Sequence, residues 1–243
     1  MVALLLLGVV GCQSPGGSGL GLTWPSSWQQ LGQAARDSAR APDVWVPVAG
    51  AAAIAIADLD GEISRWAAKE QPLFGADAAS DSDRLLDVAA GAWLASGVVA
   101  RAPDTRTRLA TLAAQAGTIV VAGGISEGMK SITGRTRPNG ANDRSLPSGH
   151  ATQAAVRFQL ARRNLASSGL APGARPWLRA GTYLGTAAAA WARVEADKHY
   201  PSDVLLGIGV GHFVGGWFSR AFMLPVTVAV YPSGWQVGYA RRF

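Results

Sequence analysis

The chain has 243 residues, enough for one domain with a sizeable core. Its formal charge of +6 comes without a long basic block, which favours an anionic partner or surface and gives no sign of nucleic-acid binding. The single cysteine, Cys12, excludes an internal disulfide and a multi-cysteine zinc centre.

Residues 3–10, ALLLLGVV, form an apolar run too short to span a bilayer and suited to the core of a signal peptide. Val9-Val10-Gly11-Cys12 follows directly and resembles a bacterial lipobox, although no Lys or Arg precedes the apolar run. The expectation is a signal peptide over 1–11 and lipidation of Cys12. A Gly/Ser-rich linker and lead-in, with one short helix, would then cover 12–41. Gln13, rather than Asp, after the cysteine points to a periplasmic protein anchored at an outer membrane.

Pro42 and Pro47 are expected to bracket a turn before a helix over 48–57, which Asp58-Leu59-Asp60-Gly61 ends. A short helix over 62–69 and a loop over 72–82 follow. Longer helices are expected over 83–100, 105–132, 148–166, 176–194 and 202–222. None of the apolar runs reads as a membrane-spanning helix. The longest, 109–125, carries Thr111, Gln115 and Thr118, so a water-soluble bundle held at a membrane by its lipid is expected. Residues 226–231 and 235–240 alternate around Pro232-Ser233-Gly234, a β-hairpin pattern in a C-terminal segment over 223–243. The helical domain occupies 42–222.

Three clusters carry the chemistry. Lys130 and Arg137-Pro138 offer one compact cation and one planar fork to the same oxyanion, yet alone they fit two solvated surface charges as well. Pro147-Ser148-Gly149-His150 opens a helix whose free N–H groups favour an anion; Ser148 can cap it, Gly149 admits close approach, and His150 can move a proton. Pro232-Ser233-Gly234 repeats the tripeptide inside the hairpin, so the signal lies in the histidine and the helix behind it. Arg193, His199 and Asp203 form the third cluster. A carboxylate four residues after a histidine can orient its ring for nucleophilic attack, or can simply tie down a helix start. His212 reads as a packed core histidine; Arg135, Arg144, Lys198, Glu195 and Asp197 read as solvated or loop charges.

In order and spacing the clusters resemble the signature of the type 2 phosphatidic acid phosphatase superfamily, which also holds bacterial class A acid phosphatases and vanadium haloperoxidases. Ala192 stands where that signature usually has serine. The resemblance implies an all-α, compact helical bundle. It implies a metal-independent phosphohydrolase, without cofactor, that cleaves phosphate monoesters or pyrophosphates, many of them lipid-linked. His199 would form a phosphohistidine, Asp203 would orient it, and His150 would protonate the leaving group. Lys130, Arg137, Ser148, Gly149 and Arg193 would bind the phosphoryl oxygens. Two alternatives share these residues: a vanadate-dependent haloperoxidase and a non-catalytic phosphate- or lipid-binding lipoprotein.

Overall fold

The computed structural model describes residues 19–20, 25, 27–102, 104–171, 173–222, 225–231 and 234–239. The expected signal peptide, the lipidation site at Cys12 and the hairpin residues Pro232, Ser233 and Ala240 lie outside them.

The described chain is a bundle of α-helices, as expected. The first helices are α1 (Trp28–Ala39), α2 (Pro42–Ile56), α3 (Asp60–Glu70) and α4 (Ala78–Val99). They are followed by α5 (Thr105–Thr133), α6 (Gly149–Ala166), α7 (Ala174–Glu195) and α8 (Pro201–Phe222). Local chemistry sets several ends. Ser27 and Asp104 cap α1 and α5 by accepting from the backbone N–H groups of Gln30 and Thr107. Gly134, at φ 53°, ends α5 in the left-handed region.

Two boundaries differ from expectation. The turn expected between Pro42 and Pro47 is helix: Pro42 takes the first position of α2 and Pro47 lies inside it. A proline at 47 cannot donate to the Asp43 carbonyl, one turn back. His212 of α8 fills that role, its Nδ1–H donating to Asp43 O at 2.8 Å. Burial lowers the pKa of His212 to about 4, so it sits in the core as a neutral ring. The loop expected over 72–82 is helical from Gly75 onward. A 3₁₀ turn, Gly75–Asp77, leads into α4. The remaining loop is held by Glu195, read from sequence as a loop charge. Glu195 is the buried last residue of α7, and its carboxylate accepts from the N–H groups of Leu73 and Phe74 and from Trp191 Nε1.

The centre of the bundle is α6, packed against α8, α4, α7 and α5. Small residues bring these helices close: Ala151, Ala154, Ala155, Ala189 and Ala190 are all buried. At the α6–α8 crossing the approach requires glycine. A Cβ at Gly211 would stand 2.4 Å from the Thr152 carbonyl oxygen, and one at Gly207 would stand 2.6 Å from that of Ser148. The lead-in helix α1 docks on α8 through Ser38 Oγ to Phe213 O and Trp217 Nε1 to Leu31 O.

Helix α5 departs from the sequence reading. It is 29 residues long and, by length and composition, apolar enough to cross a membrane. Thr111, Gln115 and Thr118, which counted against such a role, all face inward and are buried. Gln115 accepts from Trp93 Nε1 and donates to Asn164 Oδ1, tying α5 to α4 and α6. The outward positions Leu109, Val120 and Ile125 are apolar.

After α8 come two antiparallel strands, β2 (Pro225–Tyr231) and β3 (Gly234–Tyr239), with Val226 opposite Tyr239 and Tyr231 opposite Gly234. The short β1 (Gly19–Leu20) pairs with β2. The expected hairpin therefore has its described backbone in ladder register.

Candidate active site

The three clusters meet where α5 ends, α6 begins and α7 turns into α8. Ser148 is the N-cap of α6, and its N–H donates to the Asp203 carbonyl at 2.9 Å, which fastens the start of α6 to α8. Lys130, in the last turn of α5, is 7% exposed. Its Nζ lies 3.1 Å from where a Cβ on Gly149 would stand, so any side chain at 149 would push the ammonium away from the helix start. Glu127 reaches the same place: its Oε1 is 2.5 Å from Lys130 Nζ, and its Oε2 is 2.5 Å from Arg144 Nη2.

His199 is buried, and its Nδ1 lies 2.8 Å from the Ser145 carbonyl oxygen. A carbonyl can only accept, so Nδ1 carries the hydrogen and Nε2 presents its lone pair. Asp203 was expected to make this bond. Its Oδ2 stands 3.8 Å from Nδ1, an ion-pair distance rather than a hydrogen bond. The reason is that the carboxylate is already engaged. Oδ2 accepts from Ser145 Oγ at 2.5 Å and from Tyr200 N at 2.9 Å, while Oδ1 accepts from Arg135 Nη1 at 2.7 Å. Asp203 thus orients His199 mainly through Ser145. Burial alone would raise the pKa of Asp203, but His199, Ser145 and Arg135 outweigh it and hold the carboxyl below its usual range. Burial lowers the pKa of His199; the charge of Asp203 opposes this, and Arg137 and Arg193 reinforce it.

His150 pairs through Nε2 with Asp83 Oδ1 of α4 at 2.7 Å. Its pKa is lowered by burial and by the charge of Arg193, against the pull of Asp83. His150 also feels His199, and Arg193 feels Arg137, so both imidazoles and both guanidinium groups share one electrostatic neighbourhood. Buried Nε atoms of Arg137 and Arg193 have no hydrogen-bond partner among the described residues. A buried charged donor without an acceptor costs on the order of 1–3 kcal/mol or more. Two such donors beside a buried lysine and a helix start are suited to an oxyanion. Among the described residues, no group of three or more His, Cys, Asp or Glu could hold a metal ion.

Sequence reasoning missed the supports. Arg135, read as solvated, bridges Asp203 and Asp60 and lies 4.2 Å over the Tyr200 ring. Asp60 accepts from Ser202 N at 2.9 Å, from Ser202 Oγ and from Arg135, so it pins the start of α8 from 142 residues away. Asp83 and Ser145 also went unrecognised. No motif marks any of these four, because each acts only through a contact made by folding.

A family model described as the PAP2 superfamily matches residues 111–224, which span all three clusters. A solved structure, the "first transmembrane PAP2 type phosphatidylglycerolphosphate phosphatase from Bacillus subtilis", is 19% identical. The similarity covers 68% of this chain and 86% of that one, with a TM-score of 0.41. No curated protein matches the chain.

Proposed function

Because the chain carries a domain of the PAP2 superfamily, we propose that it is a phosphatase that cleaves phosphate esters, lipid phosphates above all, through a phosphohistidine. The observation that carries this reading is the pair of buried, unpartnered guanidinium nitrogens on Arg137 and Arg193 beside a histidine whose Nδ1 bonds a carbonyl. His199 Nε2 attacks phosphorus, and the bond to the leaving oxygen breaks. His150 exchanges its Asp83 contact for the leaving oxygen and gives it the Nε2 proton. It then takes a proton from the water that hydrolyses the phosphorus–nitrogen bond. Lys130, Arg137, Arg193, Ser148 and the Gly149 N–H bind the phosphoryl oxygens, where charge stabilisation supplies most of the catalysis.

The enzyme works at a membrane, on the periplasmic side, with a lipid on Cys12 tethering it to the outer membrane. Support comes from the exposed faces of α2 (Trp45, Val46, Ile56), α4 (Val88, Leu94, Val98) and α5, which present large apolar side chains outward. The test is phosphate release from p-nitrophenyl phosphate. His199→Ala is expected to lose activity by at least about a thousandfold while keeping its helical circular dichroism. A folded variant with wild-type turnover would refute the assignment.

A further inference from the structure

Away from the phosphoryl site, the bundle has a second end where α4 and α6 stop and α5 and α7 begin. Arg101 N donates to Ser167 O at 3.4 Å, and Ala100 bridges Ser168, which ties the ends of α4 and α6 together. Helix α1 lies across the second half of α8 at the same end, through Leu31 and Ser38. Helix α6 has 18 residues, so at a rise of about 1.5 Å each this pole stands about 27 Å from the helix start that faces the phosphoryl group. No part of the phosphoryl chemistry uses it.

The pole is basic. Arg36 and Arg40 at the end of α1, Arg101 and Arg106 beside the start of α5, and Arg175 and Arg179 of α7 are all exposed. Of the 16 acidic residues in the chain, Asp37, Asp43 and Asp104 are the ones found here. Each is engaged inside the pole. Asp37 accepts from Gln33 Nε2 at 2.9 Å, Asp43 pairs with Arg162 at 3.2 Å, and Asp104 accepts from Thr107 N at 2.6 Å. Among the described residues, Arg36, Arg40, Arg101 and Arg175 form no ion pair with a carboxylate. Apolar side chains flank these charges. Trp28, the first residue of α1, is 88% exposed, and Trp177, in the first turn of α7, is 80% exposed. Val98 and Leu109 are exposed at the same end.

Arginine beside exposed tryptophan and aliphatic side chains matches the boundary between lipid headgroups and acyl chains. Guanidinium groups meet the phosphates there, and indole rings lie at headgroup depth. A nucleic acid or an acidic polypeptide would answer the charges and leave the apolar side chains uncovered. We propose that this pole is a docking surface for the headgroups of an anionic phospholipid layer. Arg36, Arg40 and Arg175 are its unpaired cations, and Trp28 and Trp177 are its interfacial anchors. Headgroups held here are remote from His199 and are not its substrate. The surface does not rest on the phosphatase reading, because no residue of the phosphoryl site contributes to it.

The experiment titrates the full chain, held in a neutral detergent, with short-chain phosphatidylglycerol or phosphatidylcholine and follows binding by tryptophan emission. Wild type is expected to bind the anionic lipid about tenfold more tightly than the zwitterionic one, and added salt should shrink the preference. The triple variant Arg36→Gln, Arg40→Gln, Arg175→Gln should bind the two lipids within about twofold of each other, with helical circular dichroism and p-nitrophenyl phosphate turnover unchanged. A matched triple variant at the other end of the bundle, Arg65→Gln, Lys69→Gln, Arg84→Gln, should keep the wild-type preference. Single Arg36→Gln and Arg175→Gln variants should fall between, so the test does not depend on one heavily substituted chain. Equal binding of both lipids by wild type, equal losses in the two triple variants, or a preference indifferent to salt would overturn the docking surface. Displacement of the lipid by polyglutamate would overturn it too, and would assign the pole to an acidic polypeptide.

Discussion

Asp83 and Ser145 each decide how a histidine of the site behaves. Ser145 uses its carbonyl to place the hydrogen of His199 and its hydroxyl to engage Asp203. Asp83 sets the proton affinity of His150. Burial and Arg193 lower the pKa of His150, and the Asp83 carboxylate works against them. Removing that negative charge lowers the pKa further, so at a given pH less His150 carries the proton needed by the leaving group. Asp83→Asn should therefore move the alkaline limb of the kcat/KM profile to lower pH. An unmoved limb would show that another group protonates the leaving oxygen. The cations and imidazoles could be read from the chain because their spacing along it is regular. Asp83, Ser145, Arg135 and Asp60 could not, because each meets its partners across 54 to 142 residues of sequence.

The crossing of α6 and α8 brings His150 and His199 within electrostatic reach, and it depends on missing side chains. At Gly211 an added methyl would meet backbone atoms of Thr152 and Val156, which cannot rotate away as a side chain tip can. Gly211→Ala should cost about 1–3 kcal/mol by overpacking and should reduce kcat through the spread of the two rings. Denaturant melts and p-nitrophenyl phosphate turnover check both parts, and unchanged stability would contradict the crossing as described. The glycines were visible in the sequence, but the partner that each one admits was not. Pro47 shows the same limit. Its missing N–H suggested a turn, and only the folded bundle supplies His212 as a substitute donor to the Asp43 carbonyl.

Taken as one body, the described bundle turns large apolar side chains outward and buries several polar ones among its hydrophobic core clusters. Gln115, Asn164 and Thr152 are buried, whereas Trp45, Ile56, Val98 and Trp177 are exposed. A sequence reading that weighed the polar residues of α5 against membrane contact could not know which way they faced. Membrane attachment should therefore outlast the loss of the lipid proposed on Cys12. Cys12→Ser, without a thiol to acylate, is expected to partition into the detergent phase of a Triton X-114 separation. Recovery in the aqueous phase would mean that the helix faces do not hold lipid.

Glu127, resting on Lys130 at the mouth of α6 and shared with Arg144, changes what arrival and departure mean at this site. A phosphoryl oxygen bound by Lys130 would share the ammonium with a carboxylate that never leaves the molecule. When orthophosphate remains after turnover, that tethered competitor stands ready at high effective concentration to reclaim the ammonium. Product release would thus be aided by an ion pair that re-forms within the chain.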